Sequence, residues 1–570
     1  MRYYLDIDLS AHRVDSRTVT GDDLVNCGRH LIAETLLDAN AATCDPMSGD
    51  NPLIFSAGPL AGSNFSNANR LSIGCKSPLT GGIKEANAGG TFAFNMGQIE
   101  IAGLTLHGAC DSWQMIYINK EREVSFHDAS AFLGLGNFEL AEKLHAEYGK
   151  KVSLAICGPV GEYGGLLSGI AFSDTDQRPA RLAARGGVGA VMGSKRVKVI
   201  VCEGLKFPPF ADRKKLIGAV KQYNKWLGET PAIQTFADIG TAVVGDFTNT
   251  VGGIPVENFS KGRQEPDDGG PFKLGGDFLR EQNLSRNGIT THACMPGCQI
   301  KCSNVYMDED GNEVVSPIEY ETIGLMGTNC GLREPDDLAR VNWIANDLGI
   351  DTIETGAMIA VLMDAGLAEF GDVEFMAKVM DEDLRRGSDD GKLWAQGTGA
   401  VGKHYGVKRV PVIKNQAISA YDPRVIEVTG LSMMMTAQGA DHTAGNLPTY
   451  ECFDKDLDHL VELSVDMQVM CAAADSLGLC IFGRSVTNEQ LTFMVNTLND
   501  AFGLSLDTPF YVELGKRTLE MEHAFNRAAG FDVADDELPE FFYTDSLEPS
   551  DRTARFHAAE VDASPARWAT

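Results

Sequence analysis

Three cysteines within nine residues, Cys294, Cys298 and Cys302, constrain the fold of this chain more than any other feature. Thiolates are soft ligands that select zinc or iron–sulfur clusters, so we expect a metal to fix this segment. A zinc site would more naturally show two C-x-x-C pairs or several histidines, and His292 is the one histidine nearby. Three close cysteines with a distant fourth are common for a cubane cluster. We therefore predict a [4Fe–4S] cluster whose fourth ligand is Cys480.

Two other interpretations of these cysteines compete with a cubane. A radical enzyme that cleaves S-adenosylmethionine would want C-x3-C-x2-C, whereas both gaps here hold three residues. Three buried cysteines without any ligand are the plainest alternative. A disulfide scaffold is excluded, because thirteen cysteines in 570 residues are too few and too unevenly spaced.

The N-terminus, MRYYLDIDLS, lacks the basic and apolar regions of a secretion signal, so we expect a cytoplasmic protein.

The charge of the chain excludes two classes of partner. Its 49 basic and 79 acidic residues give a net charge of −30, which repels phosphate backbones and anionic membrane surfaces. We therefore expect no nucleic-acid partner. No uncharged apolar stretch reaches the ~18 residues of a membrane span, since the best candidate carries Glu354 and Asp364. No membrane insertion is expected.

The pattern of apolar residues predicts an α+β fold in three parts. Up to residue 204, short apolar runs bounded by glycine, proline and serine indicate strands, as at 52–55, 152–156 and 197–201. After that point the apolar spacing becomes helical, as from Leu338 to Leu348. The predicted domains are 1–204, 205–405 and 406–570. The acidic tail after Asp532 is expected to wrap the surface with little core of its own.

A short internal repeat marks two helix ends. The segment Asn346-Asp-Leu-Gly349-Ile350-Asp351 is matched by Asp475-Ser-Leu-Gly478-Leu479-Cys480, and each copy closes an apolar-periodic helix. Glycine stands in both where a left-handed helix cap would lie. Two ordinary caps explain this pattern. Two half-sites that each present polar groups to one half of a pseudo-symmetric ligand explain it as well.

Two glycine-rich segments resemble phosphate cradles. The first runs from Arg185, Gly186 and Gly187 to Lys195, but it matches neither a Walker A loop nor the dinucleotide fingerprint, and no clear strand precedes it. In the second segment, residues 69–90, an arginine can donate two parallel hydrogen bonds to a phosphate, and amides and glycines can approach the phosphate closely. Its candidate residues are Arg70, Asn87 and Gly89. A bare loop is the alternative for each segment.

In this order and at these separations, the motifs resemble the aldehyde ferredoxin oxidoreductase family of tungsten-pterin enzymes over essentially the whole chain. The matching segments are Lys76-Ser-Pro-Leu-Thr-Gly81 with Glu85-Ala-Asn87, Arg185-Gly-Gly to Lys195, Cys298-x3-Cys302, Glu319-Tyr-Glu321-Thr with Asn329-Cys330-Gly331, and Asp475 to Cys480. Two positions depart from the family pattern. The family spaces its first two cluster cysteines as C-x2-C, and its first repeat begins with Asp where Asn346 stands here. Both departures indicate a divergent branch.

The resemblance implies a base domain of two β-sheets for a bis-pterin tungsten (or molybdenum) cofactor, with two helical domains closing over it. Pterin phosphates and a bridging Mg²⁺ would be held by Arg70, Asn87, Gly89, Arg185, Gly186 and Gly187. One pterin would be bound by Asn346, Gly349, Ile350 and Asp351, and the other by Asp475, Gly478 and Leu479. The [4Fe–4S] cluster would be held by Cys294, Cys298, Cys302 and Cys480.

The chemistry implied is the oxidation of an aldehyde to a carboxylic acid, or its reverse, with electrons passing to ferredoxin or an iron–sulfur partner subunit. The metal performs the redox step, and the protein positions the substrate and moves protons. Glu321 and His442 are the candidates for the proton chemistry. Without the resemblance they are a surface carboxylate and a loop histidine. A homodimer or hetero-oligomer is the expected assembly.

The alternative function is an iron–sulfur electron-transfer subunit without chemistry of its own. Such a protein needs the cysteines but not the two helix-end repeats, Glu321 or His442. Metal analysis that finds iron without tungsten or molybdenum would favour it.

Overall fold

The structure, a computed structural model, describes residues 1–266 and 269–568. Two six-stranded sheets form its N-terminal part, and helices dominate the remainder, so the α+β class predicted from the sequence is confirmed. The first sheet contains β1 (Arg2–Asp8), β2 (Arg13–Val19), β3 (Leu53–Ala57), β4 (Leu71–Lys76), β5 (Ile83–Ala88) and β6 (Ile101–His107). The second contains β7 (Gln114–Ile118), β8 (Val124–Asp128), β9 (Ser153–Cys157), β10 (Ile170–Phe172), β11 (Arg181–Ala183) and β12 (Val197–Cys202).

The two sheets repeat one topology. Their strand orders are β2-β1-β6-β3-β4-β5 and β8-β7-β12-β9-β10-β11, and in each the pair formed by the second and third strands is the parallel one. The helices of this part are α1 (Gly28–Asp38), α2 (Phe92–Gln98), α3 (Asn137–Tyr148), α4 (Pro159–Glu162) and α5 (Val188–Ser194). The sequence marks the duplication at Gly58-Pro59 and Gly158-Pro159, which follow the equivalent strands β3 and β9.

Apolar side chains of both sheets form one shared core. Phe55 and Ile116, from different sheets, are fully buried in it together with residues of α2 and α5. The rings of Phe92 and Phe172 meet edge to face with centroids 5.5 Å apart. Most strands are buried on both faces, which is why they read as continuous apolar runs rather than alternating ones.

The remaining helices pack over the sheets. The middle part holds α6 (Arg213–Glu229), α7 (Pro231–Ile239), α8 (Val243–Val251), α9 (Gly276–Ser285), α10 (Tyr320–Thr322), α11 (Pro335–Leu348), α12 (Thr352–Asp364), α13 (Val373–Lys378), α14 (Asp389–Trp394) and α15 (Thr398–Tyr405). The last part holds α16 (Glu427–Met435), α17 (Leu457–Ser476), α18 (Arg484–Thr487), α19 (Leu491–Phe502), α20 (Phe510–Ala529), α21 (Phe541–Thr544) and α22 (Ala558–Ala563). Single π-helical turns follow α10 and α13 at Ile323–Gly327 and Val379–Leu384.

The mainly helical character predicted after residue 204 is confirmed, and three details refine the expectations from the sequence. The part after residue 204 also contains β13 (Ile289–His292), β14 (Ser303–Met307) and β15 (Glu313–Val315) in one sheet and a hairpin of β16 (Val412–Ile413) and β17 (Gln416–Ala417). A strand, β11, does precede the Arg185 loop, but its three residues are too short to read as a run. The tail after Asp532 is not a bare wrap, because Phe541, Phe542 and Leu547 are buried in or against the helical core.

In the described ranges, no single helix has the length and apolar character that a membrane crossing needs. One helix pair bent by 117°, Leu457–Ser476 with Ile481–Thr487, passes the same test by length and composition.

Candidate functional site

The two repeats lie at equivalent helix ends, each docked on one of the two sheets. Gly349 and Gly478 both adopt the left-handed conformation, with φ of 67° and 66°. The backbone N–H of Gly169 donates to Gly349 O at 2.9 Å, and that of Arg70 donates to Gly478 O at 3.2 Å. The duplicated base therefore presents two equivalent half-sites, as a pseudo-symmetric ligand requires.

Close backbone approach explains the Gly-Pro pair that ends the two equivalent strands. A Cβ on Gly58 would lie 2.4 Å from Leu477 O, and one on Gly158 would lie 2.1 Å from Leu348 O. Both distances are far below van der Waals contact. Glycine is thus required in both sheets by the helix end that packs on each.

The half-sites differ in the polar group that each presents. Asp475 lies 3.4 Å from Nη1 of Arg29, and burial, reinforced by the nearby Glu85 carboxylate, raises the pKa of Asp475 to about 8. In the first half-site, Nδ2 of Asn346 is buried and has no hydrogen-bond partner in the described part of the chain. An unsatisfied buried amide costs ~1–3 kcal/mol, so this donor is available for a ligand.

Arg70, Asn87 and Gly89 form a polar edge of the first sheet beside Cys294. Nε of Arg70 donates to Asn87 Oδ1, and its Nη2 donates to Asn87 O at 2.9 Å. A Cβ on Gly89 would lie 3.1 Å from Sγ of Cys294, so the glycine lets this strand end approach the cysteine segment. The structure thus brings the predicted phosphate-binding edge against the predicted cluster ligands.

Arg185 connects the base to the last helical part. Its guanidinium donates to Ser419 Oγ at 3.1 Å, to Ala440 O at 2.6 Å and to Asp351 Oδ2 at 3.3 Å. Asp351 also caps α12 by accepting from the N–H groups of Ile353 and Glu354.

The side chains of Arg185 and Asp351 are therefore occupied by protein groups. Gly186 and Gly187, with φ of 80° and 77°, carry the backbone over Lys84 and Pro78, where a Cβ would lie 2.5 Å and 2.8 Å from the nearest side-chain atoms. The Gly186 carbonyl is occupied as well, because it accepts from Ser77 Oγ at 2.7 Å.

The four predicted cluster cysteines are gathered in one core beside this edge. Cys298 and Cys480 are buried, and Cys294 and Cys302 are half-buried in the same cluster of apolar residues. Burial raises the pKa of Cys294 to about 12, and the neighbouring Cys298 and Cys480 raise it further. Burial likewise raises the pKa of Cys302 well above its usual value. A metal centre stabilises thiolates, so it would offset the cost of ionising buried thiols such as Cys294 and Cys302.

Glu321 and His442, which are far apart in the sequence, are neighbours in the structure. Nε2 of His442 lies 3.2 Å from Oε1 of Glu321, whose other oxygen accepts from the N–H of Ala420 at 3.0 Å. The geometry at Oε1 is not that of a hydrogen bond, and this buried atom has no partner among the described residues. Burial raises the pKa of Glu321, and the His442 charge opposes that shift.

Ser419 fixes the orientation of the His442 ring. Its Oγ lies 2.9 Å from Nδ1 of His442 and accepts a hydrogen bond from Arg185. The single proton of Ser419 Oγ has two acceptors within reach, Nδ1 of His442 and Ala440 O at 3.4 Å, so the contact sets the orientation of the ring and turns Nε2 toward Glu321.

Sequence reasoning missed an aromatic and cationic wall beside this pair. The Tyr421 ring lies 5.5 Å from that of His442 and 5.2 Å from that of Tyr320. Beyond it, Nη1 of the half-buried Arg484 donates to Asn446 O at 2.8 Å. No carboxylate lies within 4.0 Å of Arg484 in residues 1–266 and 269–568. Arg484 follows Cys480 by four residues, but an arginine in a short helix carries no sequence signal of its own.

A buried charge network that sequence reasoning also missed lies behind the second half-site. Nε of Arg29 donates to Glu522 Oε1 at 2.6 Å and Nη2 donates to Oε2 at 2.8 Å. Gln438 continues the network, because its Nε2 donates to Glu522 at 2.8 Å and its Oε1 accepts from the N–H of Glu85 at 2.6 Å. The signal was present in β5, where a Lys-Glu pair interrupts a fully buried strand.

The donor set fits a bis-pterin centre beside an iron–sulfur cluster. Each repeat presents an equivalent half-site, and Nδ2 of Asn346 and Oε1 of Glu321 have no hydrogen-bond partner among the described residues, so both can bind a ligand. Four cysteines in one core supply a cubane ligand set.

Comparison with known proteins covers nearly the whole chain. The family model described as "Aldehyde ferredoxin oxidoreductase, N-terminal domain" matches residues 4–204, and the model for domains 2 & 3 of the same family matches residues 218–563. The tungsten-containing aldehyde ferredoxin oxidoreductase of Pyrococcus furiosus is 30% identical over 548 residues, which cover 91% of this chain and 87% of that protein.

More distant relatives have other names. An "Aliphatic sulfonate oxidoreductase, WOR-like subunit" of P. furiosus is 25% identical and covers 95% of this chain and 89% of its own length. The fold is also that of a solved chain titled "Active site complex BamBC of Benzoyl Coenzyme A reductase in complex with 1,5 Dienoyl-CoA". The TM-score is 0.80 at 20% identity, with 95% of this chain and 91% of that chain covered.

Proposed function

Because this chain belongs to the aldehyde ferredoxin oxidoreductase family, whose relatives are tungsten-containing oxidoreductases, we propose that it oxidises an aldehyde to a carboxylic acid, or catalyses the reverse reaction. The observation that carries the proposal is the Glu321–His442 pair, whose imidazole lies 5.5 Å from the Tyr421 ring. An electron-transfer subunit without chemistry has no use for such a pair.

The chain's own residues would hold a tungsten (or molybdenum) bis-pterin cofactor. Asn346 would meet one pterin and Asp475 the other, each beside a left-handed glycine, with Ile350 and Leu479 following. The edge formed by Arg70, Asn87 and Gly89 and the backbone of the Arg185 loop would hold the phosphates and a bridging Mg²⁺. When bound, this cofactor supplies the two-electron redox chemistry that no amino-acid side chain provides.

Glu321 is the proposed base. Addition of water to the aldehyde carbon releases a proton, and the unpaired Oε1 of Glu321 is placed to accept it while the Ala420 N–H holds Oε2. Burial raises the pKa of this carboxyl, which makes its carboxylate a stronger base than an exposed one.

His442 is the proposed partner that orients the substrate oxygen. Its Nε2 faces Glu321 at 3.2 Å, and Ser419 Oγ contacts Nδ1. In the tautomer with its proton on Nε2, the neutral imidazole donates one hydrogen bond to the carbonyl oxygen and polarises it.

Arg484 indicates the substrate class. A half-buried guanidinium without a carboxylate partner among the described residues favours an anionic group on the ligand, which it can bind through two parallel hydrogen bonds. We infer that the preferred aldehyde carries an anionic substituent. The sulfonate in the name of one relative makes an aliphatic sulfonate worth including among the test compounds.

Electrons would leave singly through the cluster of Cys294, Cys298, Cys302 and Cys480. The two-electron substrate then needs an external one-electron carrier, either ferredoxin or an iron–sulfur partner subunit, in a homodimer or hetero-oligomer. All thirteen cysteines are free thiols, which suits a reducing compartment such as the cytoplasm. We expect no direct reduction of NAD.

The test is anaerobic purification followed by metal and pterin analysis and an assay of aldehyde-dependent reduction of benzyl viologen. We expect one tungsten or molybdenum, two pterins and about four cluster irons per chain, with turnover that requires aldehyde. Iron without tungsten, molybdenum or pterin would instead support the electron-transfer subunit. A metal-replete chain that oxidises no aldehyde in a panel of neutral and anionic compounds would refute the proposed activity.

A further inference from the structure

We propose that a basic surface on α6 is the docking site for an acidic one-electron carrier of the ferredoxin class. The inference rests on the proposed function, because it assumes that electrons leave through a cluster held by Cys294, Cys298, Cys302 and Cys480. What it adds is the place on the molecule where they leave and the charge of the protein that accepts them.

The charge of this surface is opposite to that of the whole chain. Residues 206–229 contain six basic residues and two acidic residues, Asp212 and Glu229, in a protein of net charge −30. We call the exposed residues Lys206, Arg213, Lys214, Lys221 and Lys225 the basic patch. Lys215 is excluded because it pairs with Asp500 at 2.7 Å, whereas Lys225 makes only a long contact of 3.9 Å with the exposed Glu229. In the described ranges no carboxylate lies within 4.0 Å of Lys206, Lys214 or Lys221, so their charges are not neutralised by the chain.

The opposite face of α6 lies against the cluster cysteines. Leu216, Tyr223 and Leu227 are buried in the core that also contains Cys298 and Cys480. The Tyr223 ring stacks on Phe65 at 4.7 Å, and burial together with the nearby Cys480 and Cys298 raises the pKa of its hydroxyl. Since a helix with its side chains is about 10–12 Å across, a carrier seated on the outer face would be separated from the cluster by one helix.

Positive charge continues onto the cluster segment itself. Lys301 is exposed and lies between Ile300, which is buried in the same core, and Cys302. The surface next to the predicted ligands is therefore cationic on both α6 and the cysteine segment.

A shallow groove gives the surface a shape as well as a charge. It has a volume of about 300 Å³ between α6 and α19, and its lining includes Gly218, Ala219, Gln222 and Phe493. A Cβ on Gly218 would have no atom within 4 Å, so packing within the described chain does not require glycine there. A mid-helix glycine weakens the helix, and its open position lets the backbone of a partner approach closely.

These features select the partner. Opposite charges steer a carrier to its site and set its orientation, and transient redox contacts are small, often below ~1,200 Å². The net charge of −30 would repel a nucleic acid or an anionic membrane from the rest of the chain. The balanced reaction is RCHO + H₂O + 2 oxidised ferredoxin → RCOO⁻ + 3 H⁺ + 2 reduced ferredoxin, with one electron per docking event.

The test compares two acceptors in the full-length, metal-replete enzyme. Aldehyde oxidation is followed with an acidic ferredoxin and with benzyl viologen, a small dye that needs no docking site, at low (about 20 mM) and high (about 500 mM) salt. In the Lys214→Gln/Lys221→Gln/Lys225→Gln variant we expect KM for ferredoxin to rise about tenfold at low salt and to converge with wild type at high salt. Gly218→Trp, which fills the groove without changing charge, should raise KM at both salt concentrations. Viologen turnover should be unchanged in both variants.

The matched control is Lys392→Gln/Lys403→Gln/Lys408→Gln, which removes three equally exposed charges elsewhere. An equal rise in KM in this control, or no rise in either α6 variant, would overturn the docking site. Reduction of viologen but not ferredoxin by wild type would overturn the partner class. If even viologen is not reduced, the proposed function fails. The docking site is then tested separately by titration calorimetry, which measures ferredoxin binding to wild type and to the α6 triple variant. Binding that is about tenfold weaker in the variant supports the docking site, and equal binding overturns it.

Discussion

Nε2 of His442 lies 3.2 Å from Oε1 of Glu321 although the two residues come from different helical parts of the chain. Glu321 stands in α10, which runs directly into a π-helical turn, and His442 stands in the loop after α16. Each is oriented by a separate group, Ala420 N–H for the carboxylate and Ser419 Oγ for the ring. A pair held from both sides is positioned for proton transfer rather than for a surface ion pair.

Replacing Glu321 by Gln should abolish most turnover while leaving the cofactors bound. The amide keeps the size of the side chain and the hydrogen bond from Ala420, but it cannot accept a proton. We expect kcat to fall by roughly two to four orders of magnitude, the usual contribution of a general base. Tungsten and iron contents measured on the same sample are the control. A metal-replete Glu321→Gln enzyme with nearly full activity would remove Glu321 from the mechanism.

The pH profile should report the buried carboxyl. Burial raises the pKa of Glu321 above the ordinary 4.5, so its base form is lost as pH falls through that raised value. We expect kcat/KM to decline on the acid side at a pH clearly above 4.5. Because the folded state then binds more protons than the unfolded state, the stability contributed by Glu321 decreases as pH rises through the same window. Glu321→Gln should therefore unfold at a higher temperature than wild type at neutral pH, and equal unfolding temperatures would contradict a raised pKa.

The cluster assignment predicts an unequal response among buried cysteines. Cys480→Ser should lose most of the cluster iron and the visible absorbance, since serine is a poor ligand for a cubane. Cys471→Ala is the matched control, because Cys471 is also buried in the last helical part and stands outside the predicted ligand set. Iron analysis and absorbance spectra check both. A complete [4Fe–4S] spectrum in Cys480→Ser would show that another residue is the fourth ligand.

Local patterns in the sequence predicted the elements and the helix ends well. The runs at 52–55, 152–156 and 197–201 lie in β3, β9 and β12, and both repeats end helices at left-handed glycines. Such features depend on spacing within about ten residues, which a single sequence displays. The Lys-Glu pair in β5 was equally visible in the sequence, but no buried network was predicted from it.

Features that depend on tertiary contact could not be predicted in the same way. The close contacts of Gly58 and Gly158 could be predicted only by knowing which helix end packs on which sheet. The duplication of the sheets is visible in the sequence as little more than two Gly-Pro pairs. Arg484 matters because it lacks a carboxylate partner among the described residues, and no local pattern reveals a missing partner. The proximity of Glu321 and His442 became visible from the family resemblance, not from their spacing.

Arg484 should affect substrates according to their charge. Arg484→Gln removes the cation and keeps a polar side chain that can still donate to Asn446 O. We expect KM to rise about tenfold or more for an aldehyde with a carboxylate group and to change little for a neutral aldehyde of similar size, because charge-assisted hydrogen bonds contribute more than neutral ones. Equal changes for both substrates would show that Arg484 supports the fold of the pocket instead of selecting charge.

Asn346 and Asp475 should each be needed for metal retention. Asp475→Ala removes the polar group of the second half-site, and Arg29 keeps its two bonds to Glu522, so the fold should survive. We expect loss of tungsten with an unchanged circular dichroism spectrum. Asn346→Leu should do the same in the first half-site, where it also removes the unsatisfied buried amide and so should raise the unfolding temperature of the metal-free protein. Full tungsten content in either variant would exclude that residue from cofactor binding.

The duplicated base makes a final prediction about two glycines. Gly58→Ala would place a Cβ 2.4 Å from Leu477 O, and Gly158→Ala would place one 2.1 Å from Leu348 O, so each must push a helix end away from its sheet. Such overpacking costs about 1–3 kcal/mol, and because each helix end carries one half-site, both variants should lower the unfolding temperature and the tungsten content together. Gly228→Ala is the matched control, since its Cβ meets nothing within 4 Å and alanine favours the helix. If Gly58→Ala and Gly158→Ala unfold like the control and keep their metal, the helix ends do not need this close approach to form the half-sites.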